Sequence, residues 1–351
     1  MAKHTSAADI LDIRHPIIQG PFGGGLSTIE LAAAVSQLGG MGSYGAHVIA
    51  PERIGDLVTE IRSATSETFA LNLWVSDHDE GGDTMTQAVF DRAYAQFEPW
   101  FLELNLPKPD MPERYHPNYE RQVEALLEAA PPVFSFVFGI PSRAILAHCR
   151  QRGIRTIGAA TSIAEAEALD ASGVDLIVAT GAEAGGHRPS FLRRSEDSLI
   201  GSFSLVQLVA DRVQTPVIAA GGIADARGVR GALALGASAA QLGTAFLACA
   251  ESGADQLHRQ RLFSDDAKDT VLTRSFSGRL ARGLRNRWSS EVDLNSDGIM
   301  PFPLQSWFVS QLRSVAVASG EHELISLWGG QIAPNLKHHR AADLMQALLS
   351  E

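Results

Sequence analysis

The run Pro216-Val217-Ile218-Ala219-Ala220-Gly221-Gly222-Ile223 leads into a helical pattern over residues 225–235 and then into Ala239-Ala240-Gln241-Leu242-Gly243-Thr244. Two short apolar runs with a helix between them describe parallel strands joined by a crossover. Outward toward the N-terminus the same unit recurs. Apolar runs at 176–180, 156–160, 133–138, 69–73, 40–44 and 16–19 alternate with helical patterns at 203–212, 162–171, 141–152, 119–129, 51–62 and 28–38. Thr28 is placed as an N-cap with Glu30 in the first turn, Pro51 opens its helix, and Ser162 and Glu165 have capping-box spacing. Eight strands are the number a closed (β/α)8 TIM barrel needs. An open doubly wound sheet rarely runs to eight such regular units.

The rhythm breaks twice. Residues 76–117 form an irregular stretch with one helical pattern at 84–104 and a Pro-rich loop at 106–117. After Gly243 the chain becomes loop-rich and Arg-rich. The expectation is an α/β barrel of residues 1–246 and 332–351, with a smaller helical, loop-rich substrate or lid domain at 247–331. The amphipathic pattern at 341–349 then supplies the eighth barrel helix, displaced by the insertion.

Composition narrows the function. The chain of 351 residues carries a net charge of −11, which argues against a nucleic-acid surface. Cys149 and Cys249 are far apart and form no metal-ligand or disulfide pattern, so no metal is expected. The N-terminal residues lack an apolar signal core, and no apolar run has the length of a membrane span. A cytoplasmic enzyme is the expectation, monomer or homodimer, with no membrane and no nucleic-acid partner.

In a barrel the working end is the C-terminal end of the strands. The polar and Gly-rich motifs fall there. Gln19-Gly20-Pro21-Phe22 follows the first strand and Asn72 ends the third. Gly181-Ala182-Glu183-Ala184-Gly185-Gly186-His187 follows the sixth, Gly221-Gly222 the seventh and Gly243-Thr244 the eighth. Glycine loops after the last two strands predict a phosphate cradle, because they expose backbone N–H groups. Gly40-Met41-Gly42-Ser43-Tyr44-Gly45 matches GxGxxG, but it occupies the strand position itself. It is therefore not a dinucleotide fingerprint.

His187 follows two glycines at a strand end, where a titratable ring approaches a flat ligand without steric conflict. Glu183 has three readings: it orients His187, binds substrate, or pairs with Arg188 or Arg193. Of the arginines at 274, 279, 282, 285 and 287, one is a candidate to guide an anionic substrate.

These motifs, with Asn72-Leu73-Trp74, Gly181 to Arg188 and Leu327-Trp328-Gly329-Gly330-Gln331, resemble the nitronate monooxygenases, formerly called 2-nitropropane dioxygenases. The resemblance spans nearly the whole chain. It implies a TIM barrel with a substrate domain and non-covalent FMN. It also implies oxidative denitrification of alkyl nitronates such as propionate 3-nitronate with O2, giving an aldehyde or ketone and nitrite. His187 falls on the family's catalytic histidine. Gln19, Gly20, Pro21, Phe22, Asn72, Gly181, Gly185, Gly186, Gly221, Gly222, Gln241, Gly243 and Thr244 fall on its flavin-contacting motifs, with Gly201, Ser202, Trp328 and Gln331 as further carry-overs. Phe22 stands where the family has methionine, and Pro189 where it has glycine, so both reshape the pocket. The alternatives are an FMN-dependent enoyl-acyl-carrier-protein reductase, an NAD(P)H:quinone reductase and a non-catalytic flavin- or phosphate-binding module.

Overall fold

The computed structural model describes residues 6–75, 85–293 and 298–350. The residues at 1–5, at 76–84, at 294–297 and at 351 lie outside it, among them Thr84, the expected start of a helix. The chain opens with α1 (Ala7–Leu11), β1 (Ile17–Gln19), α2 (Ile29–Gln37), β2 (Gly42–Gly45), α3 (Pro51–Ala64) and β3 (Phe69–Trp74). Next come α4 (Gln87–Glu103), α5 (Tyr119–Ala129), β4 (Val133–Val137), α6 (Arg143–Gln151), β5 (Arg155–Ala160), α7 (Ile163–Ser172) and β6 (Leu176–Thr180). A two-residue strand β7 (Gly186–His187) precedes α8 (Ser202–Ala210), β8 (Val217–Ala220), α9 (Ala226–Ala234), β9 (Ala239–Leu242) and α10 (Thr244–Leu247). The last part holds α11 (Gln256–Leu262), β10 (Thr270–Thr273), β11 (Ala281–Leu284), α12 (Arg287–Asp293), α13 (Leu304–Ser319) and α14 (Ala341–Leu348).

Eight strands pair in the order β1-β9-β8-β6-β5-β4-β3-β2, and every pairing is parallel. The first and last strands meet through a parallel bridge between Ile18 and Met41, which closes the barrel. Side chains alternate along each strand. Ile18, Ala70, Ile157, Val178 and Ile218 fill the interior, and α1 packs Ala7 and Leu11 onto them. Their neighbours Ile17, Leu71, Ile177, Ala179 and Ala219 face the helices. This is the period-2 pattern of a sheet buried on both faces.

Helix α14 packs against α2, α9 and α10, with Ala341, Leu344, Met345 and Leu348 in the same core. It thus takes the place of the eighth barrel helix. Thr28 caps α2 by accepting from the Leu31 amide. The capping box expected at α7 is half formed. Ser162 accepts from Glu165 N, but the buried Glu165 carboxylate turns to Thr161 and to the amides of Phe191 and Leu192. It spends its oxygens tying two loops together. The GxGxxG glycines serve packing: a Cβ on Gly42 would lie 2.0 Å from the Ala32 carbonyl oxygen, and one on Gly45 2.2 Å from that of Phe22.

The segment expected to be loop-rich is more ordered than its sequence suggests. It contains the β10–β11 hairpin and the sixteen-residue α13. Its core also recruits α4: Phe90, Phe97 and Phe101 pack with Trp288, Phe308 and Leu312. Strand β7 joins the hairpin as a third antiparallel strand, with His187 opposite Ala281 and Gly186 opposite Arg282.

Candidate active site

A cavity of about 340 Å³ opens at the C-terminal ends of the strands, between the barrel and α13. Gly20, Pro21, Phe22, Asn72, Gly185, Gly186, His187, Gly221, Gly222, Gln241, Gly243, Thr244 and Trp328 all line it. Six separate strand ends or loops thereby converge on one space. Gln19, Gly181, Gly201, Ser202 and Gln331 stand outside this wall. Buried Gln19 accepts from the Ser43 amide at 2.7 Å and donates to the Gly20 carbonyl, joining the ends of β1 and β2.

Gly181, Gly201 and Ser202 surround Glu183, which settles among its three readings differently from each. Its carboxylate accepts from Ser202 N at 2.9 and 2.8 Å and from Ser202 Oγ at 2.9 Å. Glu183 thus supplies the cap that Gly201 lacks at the start of α8. Its carbonyl accepts from Gln331 N at 2.9 Å. Arg188 is fully buried and donates to the carbonyls of Thr180, Gly181 and Ser198, bracing the strand end beneath the loop.

Gly221 and Gly222 have φ of 101° and 73°, a backbone that side chains rarely adopt. Across the cleft, a Cβ on Gly185 would lie 2.5 Å from Gly330 N. The strap carrying Trp328 is fastened residue by residue. Ile325 O accepts from Asn286, Leu327 O from Leu284 N and Trp328 O from His258, while Gly330 N donates to Thr244 Oγ1.

His187 sits in an aromatic enclosure, its ring 4.9 Å from Trp74, 5.2 Å from Trp328 and 6.3 Å from Phe138. Nε2 lies 2.7 Å from Ser277 Oγ on the hairpin. Burial, reinforced by the Arg279 guanidinium, lowers His187 to about 3. Of the five arginines, Arg279 is the one among these aromatics, over the rings of Phe138 at 3.9 Å and Phe302 at 4.3 Å. Arg274, Arg285 and Arg287 pair with Glu196, Asp269 and Glu103, and Arg282 reaches the Ala182 carbonyl. Sequence reasoning missed His47, Ser277 and Arg313 in the cavity wall. His47 follows β2 by two residues, so the strand-end rule would have found it. The other two lie in the aperiodic insertion, which offers no such signal. Among the described residues no cluster of His, Cys, Asp or Glu is arranged to hold a metal ion, and no helix is long and apolar enough to cross a membrane.

A closed parallel barrel with a glycine-lined cleft and a titratable ring at its strand ends defines a barrel enzyme. The chain belongs to the nitronate monooxygenase family, an oxidoreductase family whose model matches residues 4–351. A probable nitronate monooxygenase of Staphylococcus aureus (strain Newman) is 36% identical over 352 residues, covering 100% of this chain and 98% of that one. Among solved structures, a nitroalkane oxidase from Streptomyces ansochromogenes matches with a TM-score of 0.86 and 33% identity, over 98% of this chain and 96% of that one. FabK from Thermotoga maritima matches with a TM-score of 0.75 and 28% identity, over 97% and 94%.

Proposed function

We propose that this chain binds FMN and oxidises alkyl nitronates, such as propionate 3-nitronate, with O2, giving an aldehyde or ketone and nitrite. The observation that carries the reading is one neutral imidazole, His187, in a cavity whose far wall is a glycine cradle. Gly221, Gly222 and Gly243, which carry no side chain, and Thr244 beside them line the cleft and suit a phosphate, because they bring backbone N–H groups to its wall. Gly20, Pro21, Asn72 and Gln241 would hold the flat ring system, which supplies electron transfer to oxygen when bound.

The chain's own groups prepare the substrate. Ser277 Oγ–H donates to the Arg279 carbonyl at 3.2 Å, so its lone pair accepts from Nε2–H of His187. Nδ1 is then the unprotonated nitrogen, suited to take a proton from the carbon beside a nitro group. Trp74, Phe138 and Trp328 exclude water around that ring, and the positive charge of Arg279 favours an anion there.

The test is anaerobic mixing of the flavin-loaded protein with propionate 3-nitronate, then with NAD(P)H. Rapid loss of the oxidised flavin spectrum with nitronate, and nitrite release once oxygen is admitted, is the expected result. Reduction by NAD(P)H with no response to nitronate overturns the reading in favour of the reductase alternatives.

A further inference from the structure

The loop after β2 puts a second imidazole in the cavity wall. His47 is 6% exposed and lies flat on Trp74, with ring centroids 3.8 Å apart and planes 4° apart. The same indole meets the ring of His187 at 4.9 Å, so one tryptophan is shared by two imidazoles. The backbone at His47 is held firmly. Buried Gln122 donates to the carbonyls of Ala46, His47 and Ile49 at 3.3, 3.0 and 2.7 Å, and Ala46 N donates to Asn72 O at 2.9 Å. Gly23 leaves the ring its space, since a Cβ there would lie 1.9 Å from His47 Cε1.

A buried polar ring fixed this well normally has a hydrogen-bond partner. His47 has none among the described residues: Nδ1 is enclosed without one, and Nε2 makes no bond to the protein. Burial, with His116, His187 and Arg279 adding to it, keeps the ring uncharged, so it offers one N–H and one lone pair.

We propose that His47 is a second substrate-contacting imidazole, its ring N–H donating to a nitro oxygen while His187 receives the carbon-bound proton. The proposal rests on the nitronate reading above. When Nδ1 of His187 takes the proton, the C–H electron pair becomes the C=N bond and negative charge passes to the nitro oxygens. A donor fixed beforehand at those oxygens stabilises the growing charge without reorganising. With a preformed nitronate the same contact binds the anion.

His47→Phe keeps a flat ring on Trp74 and removes the donor. The probe for the contact is isobutyrate, an unreactive carboxylate close in shape and charge to propane-2-nitronate, titrated by calorimetry into the flavin-loaded protein. The variant is expected to weaken isobutyrate about 5–20-fold and to lower kcat/KM for 2-nitropropane by ~10–100-fold. Flavin content and the unfolding midpoint stay as in the parent. His47→Gln restores an N–H and recovers most of the isobutyrate affinity. It also serves as the test if the Phe variant does not fold. Equal isobutyrate affinity in parent and His47→Phe, or no isobutyrate binding by the parent, overturns the proposal. If the parent binds isobutyrate but consumes neither nitronate nor nitroalkane, the reaction reading falls, and the affinity ratio still decides the role of His47.

Discussion

At the scale of single residues, charge in this site is set by enclosure. His187 is held near 3 first by burial and then by Arg279. Replacing Arg279 with Met removes the second cause, so the His187 pKa rises toward the ordinary histidine value. Imidazole proton NMR across pH 3 to 7 reads that shift, and an unchanged titration sinks the coupling. His187→Asn keeps a polar side chain but offers no base. It is expected to lower turnover of neutral nitroalkanes by ~100-fold or more, while oxidation of preformed nitronates persists at a reduced rate. Parallel assays on the two substrate forms check this; full turnover on neutral nitroalkanes removes the base assignment. His187 was legible in the sequence because two glycines and a titratable ring followed an apolar run. His47 was hidden beside a glycine motif that drew attention to backbone packing. Ser277 carried no signal at all, since its role depends on a hairpin reaching back to a strand end 90 residues earlier.

At the scale of elements, the loops after β6, β8 and β9 brace one another. Gly221→Ala places a Cβ 2.9 Å from Ser202 Oγ, on a backbone with φ of 101°. The expected result is a loss of ~1–2 kcal/mol in stability and a larger loss of retained flavin, read by urea titration and by absorbance after desalting. Glu183→Ala strips the carboxylate cap from the first turn of α8 and is expected to cost ~1–2 kcal/mol. Urea titration decides it, with no change arguing that the carboxylate is dispensable. Outside the irregular stretch between β3 and β4, the strands and barrel helices could be read in advance because short apolar runs alternate with helical patterns from β1 to β9. Helix α13 could not. Its apolar residues are interrupted by Ser306, Ser310 and Arg313, which line the cavity, Ser310 at its solvent-exposed rim. A helix with three different surroundings has no simple amphipathic pattern.

At the scale of the whole molecule, buried uncharged histidines make stability depend on pH. His187 is lowered to about 3 and His258 to about 4, and His47 is lowered as well. Between those values and ~6.5 the unfolded chain binds protons that the folded chain refuses, so stability falls as pH drops. Each of the first two histidines contributes a loss of up to ~3 kcal/mol by pH 4. Depressed carboxylates, Asp225 at about 2 among them, lose their own contributions at still lower pH. Urea midpoints measured from pH 7.5 to 4 should decline steadily below pH 6.5, and a flat profile contradicts the burial of these rings. The barrel was legible at this scale, whereas the second core was not, because α4 joins it from more than 150 residues upstream of the hairpin. That arrangement bears on how such proteins change over time. The short strand β7 belongs to the barrel by sequence and to the hairpin by pairing. Any exchange of the insertion for a foreign one would also remove Ser277, the partner of His187, so the insertion and the barrel-end histidine must be inherited together.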